Sequence, residues 1–528
     1  MKRLTAPAIG TASNQPGCDS MQVTSNRTAW LTHRPATTAA ALFAVALSGA
    51  VFAPLLTAYF KGDDFKHLFQ LANYDLLSNL VIQHGGHAYA VRNFVFFLCW
   101  RLFGMNPIGY HALALITHMV NVALLFGIIY RLTGSPLLAA FGAALWGTCP
   151  VQGGVLEWYS VYGHALAATV LLVLLYQIAG FVRDGGTPSR GRLWAWLAIA
   201  IAGTTCFGVG LAIAMALPFV ILLFLPGRYR WWRPPLLSLL VIVPLLYTLL
   251  MKAYEWVWQQ NVTLIATDSP LVTLTGSRVP LATWEVTSYG VARLVCGLWC
   301  TGTVAQGLTV ARASVIAAVV LVAMAVVAVR DRRTRGMLVA CALLAAATYG
   351  IISVARGFFF LTLPAILHMA TRYHYAALVP VTIALCVTLQ SLARGWTLPR
   401  GLPIALVLLW AVGSVTALII APSWLRLSEE AREQTQQFIA DMHAAAASST
   451  TPAVYVRNRV FRELPLTGPV FPKNAALFTL YFRGDTLDDK RFYFVEPDDE
   501  TRAYNAHGVP IGRLLIAPDY VPRGTVLR

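Results

Sequence analysis

"TAAALFAVALSGAVFAPLLTAYFKGDDFKH" (Thr38–His67) is the stretch that decides how this chain is read. It carries no charged side chain from Thr38 to Phe60, and a helix crosses the hydrocarbon core of a bilayer in roughly 20 apolar residues. The chain then turns at once into Lys61-Gly62-Asp63-Asp64. Two adjacent carboxylates therefore stand at the mouth of a transmembrane helix. A solvated loop tolerates such a pair without using it. A catalyst working on a lipid-anchored molecule needs it there, because a carboxylate at the bilayer edge reaches a substrate whose tail lies in lipid and whose head lies outside. It can accept the proton of an attacking hydroxyl. Neighbouring side chains point in different directions, so one aspartate can be the base while the other orients substrate or a metal.

The rest of the chain supports the membrane reading. Of 528 residues, 57% are hydrophobic and only 12% charged, against roughly 25% charged in a soluble chain. Apolar runs recur along most of the length, and about eleven spans are expected, at 38–60, 108–130, 136–150, 161–182, 192–206, 207–225, 235–252, 310–329, 336–353, 372–393 and 402–421. The runs at 136–150 and 192–206 are short for a span. The formal net charge of +17 would suggest nucleic acid in a soluble protein. Here it sits mostly in short loops and reads as a topology signal, so no nucleic-acid partner is expected.

Those loops alternate. Arg183–Arg192, Arg228–Arg233, Arg330–Arg335 and Arg394–Arg400 are basic. The Asp63 loop, the Glu157 loop and the stretch from Lys252 to about Gly307 are mixed or acidic. The positive-inside rule then puts the N-terminal tail (1–36) in the cytoplasm of a bacterium. It puts the two aspartates and everything after the last span on the periplasmic side of the inner membrane. The transmembrane domain is expected over 37–421, with a periplasmic loop at 61–105 that reads as two amphipathic helices lying on the membrane surface. Residues 283–301, with Arg293 in their middle, read as a similar interfacial helix or as poorly marked spans. After about residue 421 a charged helical stretch (424–447) precedes the strand-like runs "AVYVR", "RFYFVEP" and "GRLLIAP". This predicts a small soluble α/β domain over 422–528. The fold class expected is thus an all-α polytopic membrane protein with a small α/β C-terminal domain.

Four groups of residues can do chemistry. Asp63 and Asp64 are the first. The second is "RLFGMNPIGYHALALITHMVNVALL" (Arg101–Leu125), where His111 and His118 lie seven residues apart and share a helix face. With His84 and His87 upstream they leave a divalent cation open as a cofactor, although no tight ligand spacing demands one. Polar packing explains the same histidines without a metal. The third is "WGTCPVQGGVLEWYSVYGHAL" (Trp146–Leu166), whose one charge is Glu157; an acid beside the membrane is costly and marks function. The fourth is "HMATRYHYAALVP" (His368–Pro380), where Arg372 stands at the outer start of a span with Tyr373, His374 and Tyr375 around it. Arg372 either snorkels as an anchor or offers its planar fork to a phosphate, with Arg356, Arg92 and Arg293 as the other candidates. The eight cysteines are scattered. Cys296 and Cys300, one helical turn apart, are too few for a metal site, and small buried residues are the simpler reading.

These pieces, in this order, resemble the GT-C superfamily of membrane glycosyltransferases. The likeness is to the protein O-mannosyltransferases and the bacterial relatives of the transmembrane tetratricopeptide-repeat mannosyltransferases. Asp63-Asp64 matches the acidic pair after that family's first span, Arg101–Leu125 its Gly/Asn/Pro/His stretch, Cys149–Ser160 its Pro-to-Glu loop, and Arg372–Tyr375 its "RY.Y" pattern. Asn93 stands where the family commonly has proline after Arg92, and Cys149 where it often has histidine. The resemblance implies a polyprenyl-phosphate-linked sugar donor and an acceptor hydroxyl on a protein, a glycan or a glycolipid, with transfer at the outer face inverting the anomeric carbon. It implies Asp63 or Asp64 as base, Arg372 on the leaving phosphate, and Arg92 and Glu157 shaping the sugar pocket beside His111 and Tyr373. Three rivals remain at this level. A flippase or transporter of lipid-linked sugar would place its charges at mid-membrane. A ligase would move a finished glycan, and a scaffold would tolerate loss of both aspartates.

Overall fold

Proline and small polar caps write the helix starts. Asn106 accepts a hydrogen bond from the Ile108 amide just before Pro107, Ser135 accepts one from Leu138 just before Pro136, and Ser189 and Thr309 cap in the same way. Each cap satisfies an amide that the first turn leaves open, and proline there loses nothing. Gly134 and Gly185 end two helices in the left-handed conformation. The structure is a computed structural model that describes residues 34–84, 87–225, 233–259, 278–296, 308–362, 371–395, 426–457, 473–484, 486–495, 502–505 and 510–513.

The membrane part begins with α1 (Arg34–Phe52), which runs on through a tight turn at Ala53–Thr57. Then follow α2 (Asp63–Asn73), α3 (Leu76–Val81), a two-residue ribbon of β1 (Gln83–His84) and β2 (His87–Ala88), and α4 (Ala90–Phe103). Next come α5 (Pro107–Thr133), α6 (Pro136–Gly147), α7 (Gly163–Asp184), α8 (Arg190–Thr204), α9 (Gly208–Phe224) and α10 (Arg233–Gln259). The described membrane part closes with α11 (Arg278–Cys296), α12 (Val310–Arg330), α13 (Arg332–Thr362) and α14 (Leu378–Gly395). By length and composition six described segments can cross a membrane: Pro35–Thr57, Pro107–Thr133, Tyr159–Asp184, Leu236–Ala253, Val310–Arg330 and Arg332–Gly357. The chain is a multi-pass membrane protein.

Lipid is as apolar as leucine, so helices associate in it through close packing of small residues. The short α6 shows this. Ala139, Gly142, Ala143, Ala144 and Gly147 are buried, and α6 packs against α1, α5 and α14. A side chain at Gly147 would run into Ser48 of α1 and Val122 of α5. The helix is too short to span alone, yet it lies inside the bundle.

Several expectations change. The loop at 61–105 holds three helices and a ribbon where two surface helices were expected. Asp75 starts a new helix by accepting from the Ser78 amide, and α2 is enclosed, with Asp64 through Leu71 all buried. The run at 336–353 extends to 332–362. The span expected over 372–393 becomes helical only at Leu378, after a tight turn at Thr371–His374. The chain just after the turn is held sideways: Trp146 Nε1 donates to the Tyr375 carbonyl at 3.2 Å, and the Tyr375 hydroxyl bonds His118 at 2.8 Å. The stretch at 283–301, expected as an interfacial helix or as poorly marked spans, is one helix from Arg278 to Cys296 packed between α12 and α13, and residues 297–301 lie outside the described residues. The span expected at 402–421 and the tail up to residue 33 lie outside the described residues.

The C-terminal part is α/β. After α15 (Arg426–Ser448) come β3 (Ala453–Arg457), α16 (Lys473–Phe482), β4 (Thr486–Leu487), β5 (Lys490–Val495), β6 (Arg502–Asn505) and β7 (Pro510–Arg513). The sheet runs β3-β5-β6-β7, parallel between β3 and β5 and antiparallel elsewhere, with β4 also on β5. "AVYVR" and most of "RFYFVEP" form strands as expected. "GRLLIAP" contributes only its first two residues to β7, its remainder lying outside the described residues. The unit sits on the acidic helix. α16 packs against α2, the Tyr481 and Tyr59 hydroxyls are hydrogen-bonded, and Arg432 donates to the Thr57 carbonyl.

Candidate active site

Gly62 makes the turn from α1 into α2, at φ +54° with the Trp158 ring 3.5 Å from where a side chain would start. A side-chain-bearing residue is strained there. Because glycine cannot cap, Asp64 does so from inside the helix. Its Oδ2 accepts from the Lys61 amide at 3.0 Å, while Oδ1 accepts from the Ser160 amide at 2.6 Å and the Ser160 hydroxyl at 2.5 Å. Asp64 is buried, and that burial pushes its carboxyl up to about 6 against the pull of these three donors. The pair that looked equivalent in sequence is therefore split. Asp64 ties α2 to the Glu157 loop, and Asp63, half-buried, lines a cavity of about 510 Å³.

Arg92, on α4, lines the same cavity. Its guanidinium is pinned by Asn93 Oδ1 at 2.8 and 3.1 Å and by the Ser160 carbonyl at 2.9 Å, and it lies 3.6 Å over the Tyr89 ring. Burial lowers it to about 10, so it stays protonated at neutral pH. Asn93, which departs from the resembled pattern, is what holds it.

Arg372 and Tyr373 enter from the opposite side, on the turn before α14. That turn fits against the Glu157 loop because Gly154 has no side chain; one would meet Thr371 and the Arg372 amide. Arg372 donates to the Tyr373 hydroxyl at 3.2 Å and lies 5.0 Å over the Trp158 ring. Arg356, near the end of α13, bonds the same hydroxyl. Burial alone would raise this phenol. Arg372 and Arg356 together more than offset that and hold it below its ordinary value. Two guanidiniums converging on one oxygen make a strongly positive corner suited to an anion.

The structure brings Asp63, Arg92, Arg372 and Tyr373 to one cavity. Glu157 and His111 do not line it. Glu157 pairs with Lys61 at 3.0 Å, and His111 Nδ1 donates to the Leu156 carbonyl at 3.2 Å, so both brace the loop that carries Trp158. His118 donates to the Gly147 carbonyl at 2.7 Å and accepts from Tyr375. Among the described residues no three His, Cys, Asp or Glu side chains gather as a metal site. Arg293 is buried on α11 with its carbonyl accepting from the Cys149 thiol, away from the cavity lining.

Sequence reasoning missed His164 and Trp158, and held Arg356 only in reserve. His164 is buried, its ring stacked 3.9 Å from that of Phe207, and neither nitrogen has a hydrogen-bond partner. The Trp158 indole N–H is likewise unpartnered. Both line the cavity. The signal available for them was their place in the Trp146–Leu166 stretch, directly after the acid.

No family model matches the chain, and no curated protein matches it. Among solved structures it matches the crystal structure of ArnT from Cupriavidus metallidurans bound to undecaprenyl phosphate. The match has a TM-score of 0.50 at 14% sequence identity and covers 89% of this chain and 94% of that one. The chain shares the fold of that protein. At that identity the likeness speaks for the fold alone. The cavity lies where α2, the Glu157 loop and the turn before α14 meet. These carry three of the four motifs on which the sequence resemblance rested.

Proposed function

We propose that the chain transfers a sugar from a polyprenyl-phosphate donor to an acceptor hydroxyl, with Asp63 as general base. The observation that carries this reading is the cavity itself: among the described residues it is lined by one carboxylate, Asp63, and by the guanidiniums of Arg92, Arg356 and Arg372. The similar solved protein is bound to undecaprenyl phosphate, which favours a polyprenyl phosphate here too. The basic loops favour an active site and a C-terminal domain (422–528) on the periplasmic side of a bacterial inner membrane, with residues 1–36 in the cytoplasm.

In the proposed step the acceptor oxygen attacks the anomeric carbon as Asp63 takes its proton. The bond from that carbon to the phosphate oxygen breaks, and its electrons leave with the phosphate. One displacement inverts the carbon. The donor phosphodiester carries one negative charge, and the departing polyprenyl phosphate gains a second. Arg356 and Arg372 together match the charge of the product side. They therefore stabilise the transition state more than the bound donor, which is what lowers a barrier. Asp64, Glu157 and His111 position the loops.

The test is transfer from a radiolabelled polyprenyl-phosphate sugar by purified protein in lipid vesicles. Asp63→Asn should lose roughly 10²–10⁴-fold in rate while still binding polyprenyl phosphate. Transfer at the wild-type rate by Asp63→Asn would overturn its assignment as base, and movement of a whole glycan in place of one sugar would make the protein a ligase.

A further inference from the structure

Taking the proposed transfer as its footing, we infer that the donor sugar is uncharged, lacking both a free amine and a carboxylate, and that Trp158 and His164 recognise its hydroxyls. The inference starts from an inventory of which cavity groups are already committed. Among the described lining residues the one carboxylate is Asp63. The nearby acids are spent: Asp64 on the Ser160 and Lys61 donors, Glu157 on the Lys61 ammonium. A cationic sugar would give up its hydration to enter a cavity with three guanidiniums, and among the described lining residues the one protein counter-charge would be the group that must stay available as base. Like charges brought together in a buried site cost several kcal/mol, which is about 100-fold or more in discrimination.

An anionic sugar fares no better. Arg92 is committed to Asn93 and the Ser160 carbonyl, and Arg356 and Arg372 hold the Tyr373 hydroxyl and, in the proposed reaction, are taken up by the leaving phosphate, for which a sugar carboxylate would compete. Among the described lining residues, Trp158 and His164 carry buried polar atoms without a partner. The Trp158 indole is a donor only, and the two His164 nitrogens offer one donor and one acceptor in the neutral ring. Buried polar groups left unpaired in a folded protein call for an explanation, and hydroxyl groups on a ring supply matching donors and acceptors. Phe207, stacked on His164, and Tyr89, under Arg92, add flat apolar faces of the kind that orient a ligand in a pocket.

The experiment uses a donor panel with one lipid and three kinds of head: a neutral hexose, a 4-amino-4-deoxy sugar and a uronic acid, each on polyprenyl phosphate. Transfer from the neutral donor should exceed that from both charged donors by about 100-fold in kcat/KM. Equal or better transfer from either charged donor overturns the inference and leaves the proposed reaction standing. Transfer from none of them overturns both. His164→Phe and Trp158→Phe should each raise KM for the neutral donor by roughly 10-fold, the loss of one buried hydrogen bond. Affinity for polyprenyl phosphate without a sugar should stay unchanged, a split that a merely structural role would not give. An equal loss of affinity for bare polyprenyl phosphate in both variants overturns their assignment to the sugar.

Discussion

The cavity wall and the polar bed behind it are made of the same residue types, and they differ in how those side chains are spent. In the bed, Asp64 takes three donors and His118 is bonded through both nitrogens. His111 is half-spent, with Nδ1 on the Leu156 carbonyl and Nε2 open. In the wall, His164 has no partner on either nitrogen, the Trp158 N–H has none, and two arginines share one phenol. A fully satisfied buried network fixes geometry. An unsatisfied wall holds its polarity ready for a ligand. One aspartate pair straddles the two regions, so a change of one residue number moves a carboxylate from frame to wall.

The sharpest way to break that contrast is to cut each aspartate to alanine. Asp64→Ala leaves the Ser160 amide, the Ser160 hydroxyl and the Lys61 amide facing nothing, and each unsatisfied buried donor costs about 1–3 kcal/mol. We expect a clear fall in melting temperature, the equivalent of about 3 kcal/mol, with activity lost along with the loop geometry. Asp64→Asn keeps one acceptor oxygen and should fall between. Asp63→Ala should melt within about 1 kcal/mol of the wild type while transfer collapses. Thermal melts in detergent beside vesicle assays would decide it, and a destabilised Asp63→Ala would erase the distinction between frame and wall.

The arginines sharpen the same point at a smaller scale. Arg372→Ala and Arg356→Ala should each slow transfer by roughly 10–100-fold and weaken donor binding, since each removes one charge-assisted contact to the phosphate, worth about 1.5–3 kcal/mol. Lysine restores the charge but not the fork, so Arg372→Lys should recover only part of the rate. Donor-concentration series would show both terms. If Arg372→Ala leaves both unchanged, it is a snorkelling anchor and the anion corner belongs to Arg356.

Much of this was legible in the sequence, and the parts that were not share a cause. Apolar runs declare membrane helices because no water satisfies the backbone there, and the acid pair declared itself by standing at the end of one. Which aspartate lines the cavity was hidden, because the answer lies in Ser160, far along the chain. Arg356 was reduced to a reserve because the apolar run ends near Ser353 while α13 continues to Thr362. Hydropathy measures where lipid stops, and a helix stops only where its hydrogen bonds do. Glu157 and His111 carried a signal of cost, and the structure spends them on Lys61 and the Leu156 carbonyl, because an expensive side chain is as readily spent on holding a loop as on a substrate.

The smallest expected effect concerns the clamp on the far side of α2. The C-terminal unit touches the stretch that leads into the aspartates: α16 lies on α2, the Tyr481 hydroxyl bonds the Tyr59 hydroxyl, and Arg432 bonds the Thr57 carbonyl. If this contact steadies the frame and takes no part in the wall, Tyr481→Phe should cost about 0.5–1.5 kcal/mol, the net worth of one hydrogen bond. Transfer should slow no more than about 10-fold, with donor affinity unchanged. The partner variant makes the argument strict. In a Tyr59→Phe background the Tyr481 hydroxyl has already lost its mate, so adding Tyr481→Phe should cost nothing further, and the double variant should melt with Tyr59→Phe alone. Additive losses would mean that the two hydroxyls work apart, and that the α/β unit holds the acidic helix through α16 packing and Arg432 without this bond.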